Sequence, residues 1–483
     1  MRVGLIAEPE LEFGLGQHID IRFGIMTYGP LDYATAVAPR TIRVGIVGTT
    51  ETVEGVEAWF EQCRSEISAK ESNQPHLFPR FPGFNPDVAF RSTLITEARL
   101  RRTISSRVFE RLAKASDPSW IAREAVDVFY AELEHLADEG RADVVVCAVP
   151  TDLLNATERE RPKDEEDDED DGGDRSGGKV DFHDLLKARA MALHMPIQII
   201  IPSTYDPSKR RQQKRRATRM RRLQDDATRA WNIHTALYYK ANGIPWRLLR
   251  DPSDLMTCHI GISFYKMPDG TELRTSMAQV FNERGQGIIV RGGKAQRSNK
   301  DKQVHLTEEG ADALLAHALT TYRSEHGTLP ARVVLHKSSP YNDEELAGFT
   351  AAIERRNVEA FDCVSIRHSF TRLYRSASYP PLRGTLFNLD ERHHILYTRG
   401  SVDFFATYPG LYMPRPLELR CDQTEQTPMF LAQEILALTK MNWNSTQFDN
   451  GDPITLRASG QVGKILKYVG EDERVEPRYS FYM

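Results

Sequence analysis

The stretch that decides the fold runs from Thr204 to Arg250 and has the sequence TYDPSKRRQQKRRATRMRRLQDDATRAWNIHTALYYKANGIPWRLLR. Nine of the fourteen residues from 209 to 222, here called the basic segment, are Lys or Arg, although the whole chain has a formal net charge of −5. Clustered cations hold phosphates more strongly than overall charge does, so the basic segment predicts a site for a polyanion such as nucleic acid. The alternative is a solvated basic helix face without a specific ligand.

Four side chains in and around this stretch predict a narrower ligand. Tyr205 and Lys209 are four residues apart and directly follow the apolar strand at 197–201, which places them at the carboxyl end of a strand. In open α/β sheets ligands bind at that end. Gln224 follows, and Lys240 closes the next helical pattern. A ring that can stack on a base, two ammonium groups and an amide near a helix N-terminus suit a terminal phosphate.

These residues carry a resemblance to a known family. The order Tyr-x3-Lys, Gln, and Lys before Gly-x-Pro-Trp resembles the MID domain of Argonaute proteins, and ATRAWNIHTALYYKANGIPWRL is especially similar to short prokaryotic Argonautes. The resemblance implies that Tyr205, Lys209, Gln224 and Lys240 grip the 5′ phosphate of a guide strand. Asn242 precedes a glycine where many relatives carry two glycines, which adjusts a turn only, because Asn tolerates left-handed conformations.

The same resemblance implies a structural Mg²⁺ ion at the guide phosphate. Its expected ligands are the terminal carboxylate of Met483 and the side-chain oxygen of Gln224. The final residues, 478–483, are aromatic and apolar, so they are expected to pack rather than fray. The alternative is a terminus that only caps the core.

Length and composition set the broad class of the protein. The chain has 483 residues, of which 40% are hydrophobic and 27% charged, and this predicts two to four globular domains. Its apolar runs are too short for a membrane span, and its first residues lack a signal-peptide layout, so we expect a cytoplasmic protein without membrane contact. The five cysteines are far apart and fit neither zinc spacing nor a disulfide framework.

Residues 1–250 are predicted to form the MID domain. After an N-terminal segment, 1–42, apolar strands alternate with helical patterns, which is typical of a parallel, Rossmann-like sheet in an α/β domain. Eight consecutive acids occupy 164–171, and they predict a mobile acidic loop at about 158–178. A loop that competes with nucleic acid for the basic segment is the functional alternative to solvated disorder.

Residues 251–483 are predicted to form a second α/β domain. Three antiparallel strands come first, followed by a helix around 307–323 and an apolar strand at 332–336. That order is typical of a ribonuclease H-like fold and resembles the PIWI domain of Argonautes.

Nucleases of that kind cut phosphodiesters with two divalent metals that carboxylates hold. The resemblance places those acids at Ser263, at Gln286, at Ser338, and near Asn442 and Asn444, and in this chain all five side chains are neutral. Neutral side chains would leave two dications without charge compensation. The sequence therefore predicts a degenerate site without catalytic residues, in a chain that is not itself an enzyme.

The expected function is guide-directed nucleic-acid recognition without cleavage. By resemblance, the guide is a short 5′-phosphorylated RNA, the target is complementary single-stranded DNA, and the output comes from a partner protein with an APAZ region fused to a TIR, sirtuin-like or nuclease domain. Such a pair would act in prokaryotic defence against plasmids or phages. Once activated, it would either assemble into a higher oligomer or keep its oligomeric state. The alternatives are an active Argonaute-type endonuclease whose carboxylates align elsewhere, and a nucleic-acid binder that uses no guide.

Overall fold

A computed structural model describes most of the chain. It covers residues 2–157, 179–209, 224–249, 255–281, 287–374, 380–405, 408, 413–447, 451–471, 473 and 475–483. The predicted acidic loop, Gln286 and all of the basic segment except Lys209 lie outside these ranges. Among the described residues, no helix is long and apolar enough to cross a membrane.

The N-terminal part contains a parallel sheet whose strands alternate with helices along the chain. Its strands are β1 (Arg2–Leu5), β2 (Leu11–Glu12), β3 (Gln17–His18), β4 (Thr41–Gly48), β5 (Thr93–Ile95), β6 (Arg101–Thr103), β7 (Val144–Ala148) and β8 (Ile197–Ile200). Its helices are α1 (Ile21–Tyr28), α2 (Thr50–Gln62), α3 (Ser106–Leu112), α4 (Pro118–Glu139), α5 (Thr151–Thr157), α6 (Phe182–Ala190), α7 (Pro202–Tyr205) and α8 (Asp226–Lys240). The strand order is β5-β4-β7-β8, with β6 also paired to β4, and all these pairs are parallel.

Local sequence explains why these elements form. All five residues of β7 are buried, as expected for a central strand that helices cover on both faces. Helix α4 begins where Asp117 accepts a hydrogen bond from the Ser119 amide and Pro118 fills the first helical position, and it ends at Gly140 in a left-handed conformation. Helix α8 begins in the same way, with the Asp225 carboxylate accepting from the Thr228 amide. The predicted parallel α/β sheet is confirmed.

The C-terminal part is built on a larger mixed sheet. Before it, β9 (Arg247–Leu248) pairs with β2 in a small three-stranded sheet of order β3-β2-β9. The strands of the C-terminal part are β10 (Thr257–Lys266), β11 (Leu273–Phe281), β12 (Gly287–Arg297), β13 (Val304–His305), β14 (Arg332–Lys337), β15 (Ala360–His368), β16 (Thr385–Asn388), β17 (His393–Leu396) and β18 (Leu417–Gln423). Its helices are α9 (Glu308–His326), α10 (Asp343–Glu354), α11 (Pro428–Leu438) and α12 (Ile454–Leu466). Within the described residues the sheet has ten strands in the order β1-β16-β17-β18-β15-β14-β10-β11-β12-β13.

The centre of this sheet has the predicted order of elements. Strands β10, β11 and β12 are antiparallel neighbours, while β14 and β15 run parallel to β10. Side chains alternate between the two faces of a strand. Along β10, Cys258, Ile260 and Ile262 therefore pack with α9 and α10, while Gly261 and Ser263 face α12. The expectation of three antiparallel strands, a helix and a further strand is confirmed.

Strand β1 belongs to the ten-stranded sheet of the C-terminal part and not to the parallel sheet of the N-terminal part. Strand β1 pairs with β16 from Arg2 opposite Asn388 to Leu5 opposite Thr385. It belongs to the segment 1–42 that the sequence assigned to the MID domain, so this segment contributes to both parts. The domain boundary at residue 250 stays a prediction.

The two parts share one hydrophobic core. The Tyr239 ring on α8 lies 4.4 Å from the Trp443 ring, and the Trp246 indole donates a 3.0 Å hydrogen bond to the Lys440 carbonyl. Tyr482 is completely buried in the same cluster. The two parts therefore pack as one body through aromatic residues from both.

Candidate nucleic-acid interface

Tyr205 and Lys209 lie together at the carboxyl end of β8. The Tyr205 ring covers Gly55 of α2 so closely that a Cβ on this glycine would lie 2.6 Å from Tyr205 Cε2. Burial raises the pKa of the Tyr205 phenol, which therefore stays neutral. The Lys209 side chain is 37% exposed, and its Nζ lies 4.0 Å from Glu51 Oε1. This edge of the sheet thus offers a half-buried ring and an accessible cation.

Gln224 lies immediately before α8 and contacts the C-terminal part. Its Oε1 accepts a 3.1 Å hydrogen bond from Asn232 Nδ2, and its Nε2 donates to Gln447 Oε1 at 3.3 Å. Asn232 in turn accepts from the Thr446 amide at 2.8 Å. Gln224 therefore takes part in a polar contact between the two parts of the protein.

Lys240 is almost completely buried, with 1% of its surface exposed. Its Nζ donates to the carbonyl of Ile197 at 2.8 Å, to Gln198 Oε1 at 2.7 Å and to the backbone oxygen of Met483 at 3.0 Å. Burial, together with the nearby Lys187 ammonium, holds the pKa of Lys240 well below its ordinary value. These three acceptors match the three donors of an ammonium group.

Lys187 on α6 is a second buried cation, which the sequence analysis did not single out. It is 3% exposed, and its Nζ donates to the backbone oxygen of Tyr482 at 3.3 Å. Burial lowers its pKa to about 8, against the opposing effect of Asp184 and Asp181. No clear signal for it was present in the sequence, because Arg189 in the same run LLKARAMAL is a charged residue whose side chain is about half exposed.

The four predicted phosphate ligands thus fall into three places. Tyr205 and Lys209 follow the last residue of β8, Lys240 bonds to the first residue of that strand, and Gln224 faces the C-terminal part. Among the described contacts none joins one place to another. Their convergence on a single phosphate stays a prediction.

Each of the two oxygens expected to hold Mg²⁺ accepts a hydrogen bond from another side chain in this structure. The backbone oxygen of Met483 already accepts from the Lys240 ammonium, and a cation at 3.0 Å repels a metal. The Gln224 oxygen is bonded to Asn232 instead. In the described part of the chain, ligand atoms that could hold a cation come together at Asp181, His183 and Asp184, where the Asp181 carboxylate also caps α6. The expected Mg²⁺ stays a prediction.

The predicted first acid position is a packed hydroxyl site. Ser263 on β10 is buried, and its Oγ lies 2.7 Å from Ser459 Oγ on α12. Ser276 on β11 donates to the Ser459 carbonyl at 2.8 Å. A Cβ on Gly261 would lie only 1.9 Å from the Thr455 carbonyl oxygen, so α12 rests directly on β10. Three neutral hydroxyls and a helix backbone fill this position.

The other predicted degenerate positions are spread out. Ser338 lies just beyond β14, and its amide donates to the Ile262 carbonyl on β10 at 3.3 Å. Asn442 accepts from the Asn444 amide in the turn after α11, beside the aromatic contact of Trp443 with α8. The residue that contacts Ser263 from the last helix is Ser459, which sequence analysis missed because a lone serine in a helix carries no distinctive pattern.

A further surface combines exposed aromatic rings with arginines. Phe370 and Tyr374, in the segment after β15, are 84% and 80% exposed. The Arg415 guanidinium lies over the Phe370 ring at 5.1 Å from its centre, and Arg372 Nη1 donates to the Ser369 carbonyl at 2.9 Å. Exposed rings next to guanidinium groups are typical of surfaces that stack single-stranded bases. The sequence signal was the interleaving of RHSFTRLY, which the sequence analysis did not use.

Solved structures match this architecture over nearly the whole chain. The structure of Clostridium butyricum Argonaute bound to a guide DNA and a 19-mer target DNA matches with a TM-score of 0.65 and 14% identity, over 98% of this chain and 53% of that one. Drosophila Piwi matches with a TM-score of 0.60 and 12% identity, over 100% of this chain and 56% of that one. This chain has the Argonaute fold.

The Argonaute fold is found again in the Marinitoga piezophila Argonaute in complex with 5′ OH guide RNA, with a TM-score of 0.54 and 12% identity, over 100% of this chain and 59% of that one. The chain spans just over half the length of the Argonautes it matches. No protein-family model and no curated protein matches the sequence. The predicted fold class, a Rossmann-like MID domain followed by a ribonuclease H-like PIWI domain, is confirmed.

Proposed function

We propose that this chain binds a short 5′-phosphorylated guide RNA and pairs it with complementary single-stranded DNA. The observation that carries the proposal is the fold match over 98% of the chain to an Argonaute bound to a guide and a target. The basic segment next to Lys209 supports it, because a local cluster of cations attracts a phosphate backbone. The exposed rings of Phe370 and Tyr374 support a single-stranded ligand.

The phosphate end of the guide is assigned to the surface around Tyr205 and Lys209. Lys209 is exposed enough to meet a ligand without rearrangement, and it lies at the edge of a parallel sheet where ligands bind. Its pairing with Glu51 is long, at 4.0 Å, so a phosphate oxygen would compete easily for the ammonium group.

In the proposed function, the chain binds its target DNA and does not cut it. A two-metal nuclease needs carboxylates that compensate four positive charges. At the Ser263 position the side chains offer hydroxyls, and Ser263 and Ser459 already satisfy each other. A recogniser of this kind acts through a second protein, for which the resemblance suggests an APAZ-containing effector with NAD-consuming or nuclease activity in prokaryotic defence.

A binding and cleavage experiment tests this function. Purified chain, alone and coexpressed with its neighbouring gene product, is titrated with 5′-phosphorylated and 5′-hydroxyl RNA of one sequence, and then with matched or scrambled single-stranded DNA. We expect a preference for the phosphorylated guide, guide-dependent capture of the matched DNA, and intact DNA after incubation with Mg²⁺ or Mn²⁺.

Each departure from this result has a distinct meaning. Loss of intact target at stoichiometric protein would establish the alternative, an active Argonaute-type endonuclease. Binding that ignores both the 5′ phosphate and the guide sequence would identify a general nucleic-acid binder. A chain that protects cells from plasmids without any second protein would overturn the proposed effector.

A further inference from the structure

Strand β1 lies at one edge of the ten-stranded sheet, and among the described residues no strand pairs with its outer side. The Ile6 amide donates to the Gly384 carbonyl at 2.9 Å, just beyond the last pair of the antiparallel ladder between β1 and β16. In such a ladder, pairs that exchange hydrogen bonds alternate with pairs that do not. Gly4 therefore bonds to β16, whereas the backbone amides and carbonyls of Val3 and Leu5 point outward.

The side chains of β1 make this edge apolar. Val3 and Leu5 are 67% and 59% exposed, and they share one face of the sheet because alternate side chains of a strand do so. On the other face, Met429 of α11 lies over Gly4 and is itself partly exposed. Edge strands are commonly protected from pairing by a lysine, a proline or a bulge, and β1 has none of these. The edge is open to a further strand.

The strand is held firmly from behind. Ile6 is buried in the cluster that joins the sheet to α11. Two residues further on, the Glu8 carboxylate accepts from Arg383 Nε and from Lys440 Nζ, each at 2.9 Å. A partner strand would therefore meet a preformed edge, and little ordering of β1 would be needed for the two to associate.

A second copy of the same strand suits this edge when the two strands run antiparallel about a two-fold axis at Gly4. Val3 of one copy then lies opposite Leu5 of the other, and the outward amides and carbonyls of these residues form four hydrogen bonds across the axis. Each valine also packs beside a leucine as a cross-strand pair. At the axis a residue meets its own copy, and glycine places no side chain there.

The symmetry favours a second copy over an unrelated strand. Every outward backbone group of Val3 and Leu5 finds its partner on the same edge of the other copy, so the edge is complementary to itself. The one charged residue of the strand is Arg2. In this register Arg2 lies opposite Ile6 of the other copy, so the two guanidinium groups stay apart at opposite ends of the paired strands.

We propose that two copies of this chain associate through β1, with Gly4 on the two-fold axis, and that their ten-stranded sheets become one continuous sheet. The dimer has a dissociation constant on the order of 10 µM, because two short strands bury less surface than a standard interface. The inference is independent of the proposed function, since neither nucleic acid nor an effector takes part in this contact.

Cysteine pairing tests the register. Two residues directly opposite each other in a ladder have Cα atoms close enough for a disulfide. Under mild oxidation, an equimolar mixture of Val3→Cys and Leu5→Cys chains should give a linked dimer, and each variant alone roughly tenfold less of it. The five natural cysteines are buried, so they contribute little background. Equal cross-linking in the mixture and in the single variants would overturn the proposed pairing.

Molar mass from light scattering tests the association itself. Between about 1 and 200 µM protein, the mass should rise from that of one chain towards that of two. Leu5→Lys, which adds a charge, and Val3→Pro, which removes an outward amide but no bond to β16, should both stay monomeric. Val37→Lys is the matched control, because Val37 is an equally exposed valine outside β1, and this variant should dimerise as the unmodified chain does. Urea unfolding shows whether the β1 variants keep their stability.

The remaining outcomes each reject the proposal. A chain that is monomeric at every concentration does so directly, and a dimer that persists in both β1 variants places the contact elsewhere. If the chain stays monomeric alone but forms a complex with its coexpressed neighbouring gene product that Leu5→Lys abolishes, the edge takes a strand from another protein. Should either β1 variant lose stability, the cysteine mixture decides the question.

Discussion

Replacement of Gly261 by alanine should show how closely α12 packs against β10 of the PIWI sheet. Gly261 lies on β10, and a Cβ at this position would be 1.9 Å from the carbonyl oxygen and 2.2 Å from the carbonyl carbon of Thr455. Both atoms are backbone, in the first turn of α12. They cannot rotate away as the end of a flexible side chain would.

The size of the effect follows from these distances. Ordinary contacts of a Cβ begin at 3.4 Å, so α12 would have to move by more than 1 Å relative to β10. Overpacking of a core costs roughly 1–3 kcal/mol. We place Gly261→Ala at the upper end, about 3 kcal/mol, because the movement would also separate Ser459 from Ser263.

Equilibrium unfolding in urea measures this loss, and Gly460→Ala is its matched control. Gly460 lies on the same helix, but a Cβ there meets nothing within 4 Å. A glycine-to-alanine change in an open helical position should stabilise the protein by about 0.5–1 kcal/mol. If Gly261→Ala were as stable as Gly460→Ala, α12 would not rest on β10, and the packed hydroxyl site would be refuted as well.

Three further predictions concern the ligand surface and the core. Lys209→Ala should weaken binding of a phosphorylated guide by roughly 1–3 kcal/mol in a filter-binding titration, with little change for the 5′-hydroxyl guide. Equal losses for both guides would mean that this lysine is only part of a general basic surface. Phe370→Ala and Tyr374→Ala should each weaken binding of single-stranded nucleic acid by about 1–3 kcal/mol, whatever the 5′ group, without loss of protein stability. Unchanged affinity would show that this surface is not part of the interface. Burial, with the nearby His259, lowers the pKa of His336 to about 3, so the native state takes up its proton later than the unfolded chain does. Stability should therefore fall as pH drops from 6.5 towards 3, by at most about 5 kcal/mol, and His336→Gln should flatten this part of a pH series of unfolding experiments; an equally steep curve would contradict it.

The fold was predictable because its signals are local. The apolar run at β7, the Asp117-Pro118 start of α4 and the alternating strands from residue 257 onward each specify an element within a few residues. Their order was enough to indicate a parallel sheet followed by a ribonuclease H-like sheet. The pairing of β1 with β16 was not predictable, since it joins residues from 380 (Leu5 to Thr385) to 386 (Arg2 to Asn388) positions apart through backbone hydrogen bonds that leave no trace in composition.

The site was less predictable because its decisive contacts are long-range. The sequence singled out Lys240 and Met483, and the structure joins them, but it also adds Lys187 on α6, which the sequence analysis did not single out. Likewise, Ser263 was chosen from its strand, while its partner Ser459 lies 196 positions away on a helix with no recognisable motif. Residue type and spacing can identify one residue of such a contact, but its partner becomes known only from the fold.

The Ser263–Ser459 contact also affects whether a single substitution could give this chain a nuclease site. A single Ser263→Asp replacement would bury a carboxylate against Ser459 and Ser276, with no cation near enough in these contacts to compensate it. The charge would be costly, so the new side chain would take up a proton or force α12 outward. A two-metal site needs several carboxylates at once and room for the ions, and beside Gly261 the backbone of Thr455 leaves no such room. We therefore expect Ser263→Asp alone to give no metal-dependent cleavage, because the packing of α12 on β10 as well as the neutral side chains opposes a metal site.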